Sequence, residues 1–486
     1  MSDAKLSTDR IEPYVWKIAG VVIVGMMMSI LDTTIVNVAL DTLSKDLHST
    51  IAQIQWVATG YLLALAAVIP LTGWSARRFG AKRVYLASIF LFTVGSALCG
   101  LSESSTSLIL FRVLQGVGGG MIMPISQMIM AEVAGPKRMG KVMSIVVMPA
   151  MLAPILGPVV GGLILENMHW SWIFFVNVPI GIVAGVLGYR MLPHSQLGEA
   201  GRLDVTGLLL LVTSMPLIVY GLSEIAPKEG FTDPAVIFPI LVGLALTLAF
   251  GWHALRTERP LLDIRLYANR VFAAASITTF GLGAALFGAM ILIPLYYQQV
   301  RGESVIVTGL LLAPQGLGML LTGPFTARIT QRFGGGRVAI VGVSILVLSS
   351  VPLAFIGADT SIALISLTLL LRGVGIGLSF IPTTTVAFAS LRTDQLSDAT
   401  PQMNVLQRVG GAIGTAVLAV VLQRALVGAT TPTEMASAFA TANSWALGIA
   451  ALSLIPCIVL LRAEGPRHTP TPAEELAEAE LEPLGV

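Results

Sequence analysis

The stretch MMMSILDTTIVNVAL, residues 26–40, lies inside the first long apolar run of the chain and contains one carboxylate, Asp32. A carboxylate near the middle of a bilayer costs roughly 2.5–3.5 kcal/mol on insertion scales. The surroundings of this stretch decide whether it spans a membrane and why an acid sits in it.

Hydrophobic residues make up 55% of the 486-residue chain and charged residues 12%, and mean hydropathy is +0.83. Soluble globular chains carry about 25% charged residues. So much apolar surface exceeds what a soluble core can hide, so the fold class is an all-α polytopic membrane protein. Fourteen apolar segments of spanning length follow one another, from 16–40 to 443–462. With the N-terminus placed in the cytoplasm, 22 of the 29 Lys and Arg residues fall on the cytoplasmic side and four in external loops. That bias predicts an N-in, C-in topology. A net charge of +2 gives no reason to expect nucleic acid as a partner. Cys99 and Cys457 lie in distant apolar segments and read as buried packing residues. The first apolar run lacks a small-residue cleavage site and reads as a retained span.

A weak internal repeat divides the chain. PLTGWSARRFGAKR (70–83) is echoed by LLTGPFTARITQRFGGGR (320–337), and LILFRVLQGVGGGMIMP (108–124) by LLLRGVGIGLSFIP (369–382). Parallel repeats of this kind mark secondary transporters. The predicted organisation is a cytoplasmic segment (1–15), a six-helix bundle (16–195), two additional spans with linkers (196–264), a second six-helix bundle (265–463) and an acidic cytoplasmic tail (464–486), disordered or weakly helical.

Asp32 is the only one of 27 acidic residues placed well inside a span. At 100° per residue, Ser29, Asp32, Thr33 and Asn37 form a polar stripe, expected to face a bundle interior or a water-filled cavity. One buried carboxylate that holds either a proton or a cation is the minimal chemistry of antiport. The alternative is a structural acid that pins a helix contact. Arg112, with Gln115 and Gln127 near the same face, reads as a fixed charge tuning proton exchange, or as a snorkelling arginine. Arg408, near Asn404 and Gln407, presents the same pair of readings.

PAMLAPILGPVVGG (149–162) lines up small residues, including Gly157 and Gly161, on one seam and adds Pro154 and Pro158. Small seams let helices approach closely, and here they suggest a moving interface. GWSARRFGAKR reads as a short cytoplasmic turn carrying Arg77, Arg78, Lys82 and Arg83. It is either a topology anchor or a gate latch pairing with helix ends or acids. Trp56, Tyr61, Met123, Phe287, Tyr296, Tyr297, Gln298 and Gln299 are further cavity candidates, although Trp56 and Tyr296 fit an interfacial belt equally well. Metal-ligand spacing, phosphate loops and nucleophile–base pairs are absent from the sequence, so neither metal nor cofactor nor enzymatic chemistry is expected.

Together these residues resemble the fourteen-span drug:proton antiporters of the major facilitator superfamily, over about residues 15–463. The likeness rests on LDTTIVNVAL (31–40), QWVATGYLLALAAVIPLTGW (55–74), RVLQGVGGG (112–120), LGPVVGG (156–162), RLDVTGLLLL (202–211) and PLLDIRLYANRVF (260–272), in this order and spacing. The resemblance implies a bacterial inner-membrane exporter, monomeric, moving small amphiphilic cationic drugs or dyes outward while protons enter. A related possibility is export of an endogenous lipid or metabolite. By resemblance, Asp32 engages protons and cations, Arg112 is the fourth-span arginine, and Gly157, Pro158, Gly161 and Gly162 form the antiporter hinge. Gly73, Arg77, Arg78, Gly80, Lys82 and Arg83 stand in the cytoplasmic gate loop. Where that loop usually carries an Asp this chain has Arg77, its counterpart in the second half is Gln331, Asp41 replaces a common Pro, and no second acid stands near the tenth span.

Overall fold

A computed structural model describes residues 12–193, 201–225, 232–392 and 395–464; the side chains of 135–155, Asp41, Ile51, Ala52, Pro158, Ser223, Val305 and Pro324 lie outside that description. The expected acidic tail, Ala150, Ala153, Pro154 and the Pro158 side chain therefore fall outside the described set.

The first half comprises α1 (Pro13–Asp46), α2 (Ile51–Val68), α3 (Leu71–Phe79), α4 (Ala81–Gly100), α5 (Ser105–Asn167), α6 (Trp172–Phe175) and α7 (Asn177–Met191). Next come α8 (Val205–Ser223) and α9 (Pro234–Arg256). The second half comprises α10 (Arg270–Met290), α11 (Leu292–Gln299), α12 (Val305–Phe333), α13 (Gly335–Ser350), α14 (Ile362–Ala389), α15 (Leu396–Leu426), α16 (Pro432–Leu452) and α17 (Leu454–Glu464). Helix starts follow local chemistry. Thr50 with Gln53, Ser104 with Ser107, and Thr431 with Glu434 close capping boxes, which satisfy the free N–H groups of a first turn.

Among the described residues twelve helices are long and apolar enough to cross a membrane, or thirteen if α2 and α3, bent by 56°, count as one span. The chain is thus a multi-pass membrane protein. The expected fifth span, 141–165, falls largely on side chains outside the description. Its neighbourhood is nonetheless defined. Arg112 bonds Asp32, while a Cβ on Gly161 would meet Ile35, one turn along the same helix. Two positions 49 residues apart on α5 thus touch one turn of α1, so the 63-residue segment reverses between them.

GWSARRFG is helical to Phe79, not a short turn as expected. The reversal is confined to Gly80, whose φ of +85° suits a residue without Cβ. Its counterpart Gly334 has φ +91°, and both follow Arg-Phe. The glycine runs also correspond. A Cβ on Gly116 would meet the Tyr61 carbonyl of α2, and one on Gly373 the Gln315 carbonyl of α12. Gly118 and Gly375 likewise face α4 and α13. In that register Arg372 corresponds to Gln115 and not to Arg112, whose counterpart is Leu369. The sequence echo had suggested the two arginines as equivalents.

The halves share one core at the end that carries Arg77, Arg78, Arg265 and Arg392, called here the basic end. There Met128, Ile129 and Ala134 of α5 join Phe272, Val386, Ala387, Phe388 and Met403 of the second half in one cluster. At the opposite end each half has its own: Ile35, Leu108, Trp170 and Phe174 in the first, Leu292, Tyr296, Leu369 and Phe439 in the second. The halves also meet along α5 and α12. On the other flank α8 packs on both α2 and α15. The α8–α9 hairpin is pinned at the basic end by Asp204, which accepts hydrogen bonds from Gly207 N at 2.8 Å, Leu261 N at 3.2 Å and pairs with His253 Nε2 at 2.8 Å. Trp74 adds a tie to the Gly201 carbonyl at 3.2 Å.

Candidate functional site

Asp32 is completely buried. Its Oδ2 accepts a hydrogen bond from Arg112 Nη1 at 2.6 Å. Its Oδ1 accepts from Gln115 Nε2 and from Asn177 Nδ2, each at 2.9 Å. Arg112 and Gln115 are three residues apart on α5, so one helix face delivers both. Arg112 is buried as well, and spends its other donors on the Val57 carbonyl (Nε, 3.1 Å) and Gln115 Oε1 (Nη1, 2.8 Å). The Tyr61 ring lies 4.0 Å from its guanidinium carbon, a cation–π contact strengthened by exclusion of water. Tyr61 and Ser29 hydroxyls meet at 3.4 Å. Asn177 also donates to Ser96 Oγ at 3.1 Å. Five elements, α1, α2, α4, α5 and α7, thus converge on one ion pair.

The physics is that of a buried pair. Removing either partner from such a site typically destabilises by about 3–5 kcal/mol, because the other charge is stranded in low dielectric. Here both carboxylate oxygens and the guanidinium are hydrogen-bonded, which makes burial tolerable.

Of the two expectations for the polar stripe, a bundle interior or a water-filled cavity, Ser29 and Asp32 meet the first, and Asn37 departs from the stripe. Ser29 and Asp32 are buried, Thr33 returns a hydrogen bond to the Ser29 carbonyl at 3.1 Å, and Asn37 is exposed. The arginine of α5 and the amide of α7 close over the acid, so the four residues do not share one wet face. Asn177 went unnoticed in the sequence. Its only signal there is a lone amide in the apolar run WIFFVNVPIGIV (172–183).

The cavity candidates divide. Gln127 Oε1 accepts from Asn404 Nδ2 at 2.8 Å, joining α5 to α15 across the two halves. Met123, Gln298 and Gln407 are half-buried, and half-buried Phe287 lies against Gly411. Trp56 does not face the first-half ion pair. It stacks on Tyr220 of α8 at 5.7 Å and, 40% exposed, lines an open groove with Leu63, Val212, Pro216 and Leu217. Tyr297 is corrected too: it is fully buried in the second half's core, T-shaped against Tyr296, because apolar neighbours from α14, α15 and α16 enclose it.

Of the hinge residues, Gly157 and Gly161 lie where a Cβ would meet Thr34 and Ile35 of α1, and Gly162 is buried. In the gate segment, Arg77 Nη1 donates to Asp398 Oδ1 at 2.8 Å and Ser397 Oγ at 2.7 Å, at the start of α15. A Cβ on Gly73 would run into the Ser397 carbonyl. Lys82 donates to the Leu192 carbonyl at 2.8 Å, while Arg78 and Arg83 are exposed. The halves are therefore latched at the basic end by α3 against α15. No cluster of His, Cys, Asp or Glu among the described residues has the geometry to hold a metal.

The profile of the Major Facilitator Superfamily matches residues 22–415, and the chain belongs to that superfamily. A multidrug resistance protein B homolog of Mycobacterium tuberculosis is 39% identical over 417 residues, covering 85% of this chain and 77% of its own. The multidrug export protein EmrB of Haemophilus influenzae is 32% identical over 393 residues, 80% of this chain and 77% of that one. Among solved structures, the human organic anion transporter MFSD10 superposes with a TM-score of 0.64 at 16% identity, over 92% of this chain and all of that one. The proton:xylose symporter XylE gives 0.59 at 14% identity, over 89% and 94%. At such identities the likeness is one of fold.

Proposed function

We propose that the protein is a proton-coupled exporter of amphiphilic drugs and dyes, working by alternating access across a bacterial inner membrane. The carrying observation is the buried Asp32–Arg112 pair. Asp32 accepts a proton; neutralised, it loosens its hold on Arg112, which stays charged. Proton binding and the packing of α1 on α5 and α7 are thereby linked, and those helices are the ones a rocking motion of the first half moves. Relatives that bear multidrug resistance and multidrug export names support the cargo class.

The positive-inside rule puts the basic end in the cytoplasm. The shared core and the Arg77–Asp398 latch then close the inside, and the separated clusters lie outside: an outward-facing state of a fourteen-span, N-in, C-in monomer. The driving force is the proton gradient alone, to which the membrane potential contributes about 2.3 kcal/mol per charge per 100 mV. A cationic cargo, the expectation from the lone carboxylate, reaches Asp32 only by displacing Arg112. A second reading, export of an endogenous lipid or metabolite, is favoured by Arg408 of α15, which has no hydrogen bond or ion pair among the described residues.

Proteoliposomes holding the full chain and loaded with a fluorescent dye test the proposal. An imposed inward proton gradient should drive dye outward at a rate that collapses with an ionophore. Dye flux indifferent to the gradient would refute it.

A further inference from the structure

Arg408 lies on α15 four residues beyond Asn404, about one helical turn. At 100° per residue α15 presents three faces. Gln407, Gly410 and Gly414 meet α10. Val409, Ala412 and Ile413 join the clusters built by α8 and α9. Asn404 and Arg408 share the remaining face, and Asn404 bonds Gln127 of the first half. Arg408 therefore points between the halves, one turn farther from the basic end than that contact. It is half-buried, and among the described residues it forms no hydrogen bond or ion pair.

An arginine keeps its charge at any accessible pH. Lodged between membrane helices it needs a carboxylate, carbonyls or water. Asp32 cannot serve, because its oxygens already take Arg112, Gln115 and Asn177. A second arginine, Arg372 of α14, is also short of partners: Nε has none, and Nη2 reaches only the Ala285 carbonyl at 3.5 Å. The described membrane interior thus holds one neutralised pair and an excess of positive charge. Across low dielectric that excess attracts anions and repels cations.

We propose that Arg408 is the cargo-recognition charge between the halves and takes the anionic headgroup, carboxylate or phosphate, of an amphiphile. Half-buried Met123, one turn from Gln127 on α5, offers an adaptable apolar surface for the tail. This inference rests on the reading that cargo crosses between the halves.

The test uses the full chain in a non-ionic detergent, with dodecyl phosphate, dodecyltrimethylammonium and inorganic phosphate as probes. Dodecyl phosphate should bind the wild type, and Arg408→Gln should weaken it roughly tenfold or more, a change of about 1.4 kcal/mol. Arg408→Lys should stay within a few-fold, and binding of the cationic probe should not weaken in Arg408→Gln. Inorganic phosphate should bind at least tenfold more weakly than dodecyl phosphate. Equal binding of dodecyl phosphate to wild type and a folded Arg408→Gln, or a wild-type preference for the cation, overturns the assignment. Inorganic phosphate binding as tightly as dodecyl phosphate overturns the amphiphile. Thermal unfolding of each variant separates loss of binding from loss of fold, and if Arg408→Gln does not fold, the wild type's choice between the two dodecyl probes decides. Gradient-driven dye efflux by the wild type, measured separately, judges the transport reading and not this one.

Discussion

Asp32 and Arg112 stand 80 residues apart in the chain and 2.6 Å apart in the fold, with neither side chain reaching solvent. A carboxylate so held has no free valence for cargo until something loosens the arginine. A proton on Asp32 does this directly, since it removes one of the two charges without disturbing the other. On the proposed reading, coupling begins with a change in helix packing, and cargo charge is a separate matter assigned to a separate residue.

Asp32→Asn keeps the size of the side chain and an acceptor for Gln115 or Asn177, yet strands Arg112. We expect gradient-driven efflux to vanish and stability to fall by about 3 kcal/mol, while the protein still inserts. Proteoliposome efflux and thermal unfolding in detergent read both. Undiminished coupled efflux from this variant would remove Asp32 from the mechanism.

Arg77→Asp places two carboxylates face to face at the Asp398 latch and should open the basic end; adding Asp398→Arg should close it again. The side chains are 25% and 18% exposed, so solvent screens the pair and its coupling should be about 0.5–1 kcal/mol. A double-mutant cycle on thermal stability measures it. If the swap does no better than the single change, the contact is incidental.

Gly73→Val inserts a branched side chain where even a Cβ meets the Ser397 carbonyl. The basic end should then fail to shut. Cys99 and Cys457 are buried, so Ala131→Cys, at a position now 3% exposed in the shared core, is a clean reporter. Its labelling by a polar maleimide should rise several-fold in the Gly73→Val background; an unchanged rate would count against closure at this seam.

Asp204→Ala removes the partner of His253 and the acceptor of two backbone N–H groups. Stranding such donors costs about 1–3 kcal/mol. The α8–α9 hairpin should loosen, seen as faster proteolysis near residue 203 and a lower unfolding temperature. Wild-type resistance in this variant would mean that apolar packing on α2 and α15 holds the hairpin alone.

Much of the architecture was legible in the residues themselves. Span length, hydropathy and the placement of Lys and Arg are local quantities, and they are what a bilayer selects. The same local chemistry marked Asp32 as costly and the two halves as repeats, but it read the whole of GWSARRFGAKR as a turn where only Gly80 reverses the chain. Where the helices meet was not legible. A period of 3.6 residues says which residues share a face, but rotation about each axis is set by packing against neighbours far away in the chain. That rotation decided that Arg112 closes on Asp32, that Asn177 completes its shell, that Arg77 finds Asp398 from 321 residues away, that Arg372 takes the place of Gln115 in the second half, that Tyr297 is enclosed, and that Arg408 has no hydrogen bond or ion pair among the described residues. Sequence alone specified most of the apolar segments and the one acid among them; only the tertiary structure, by fixing which faces touch, decided which charges are spent on the fold.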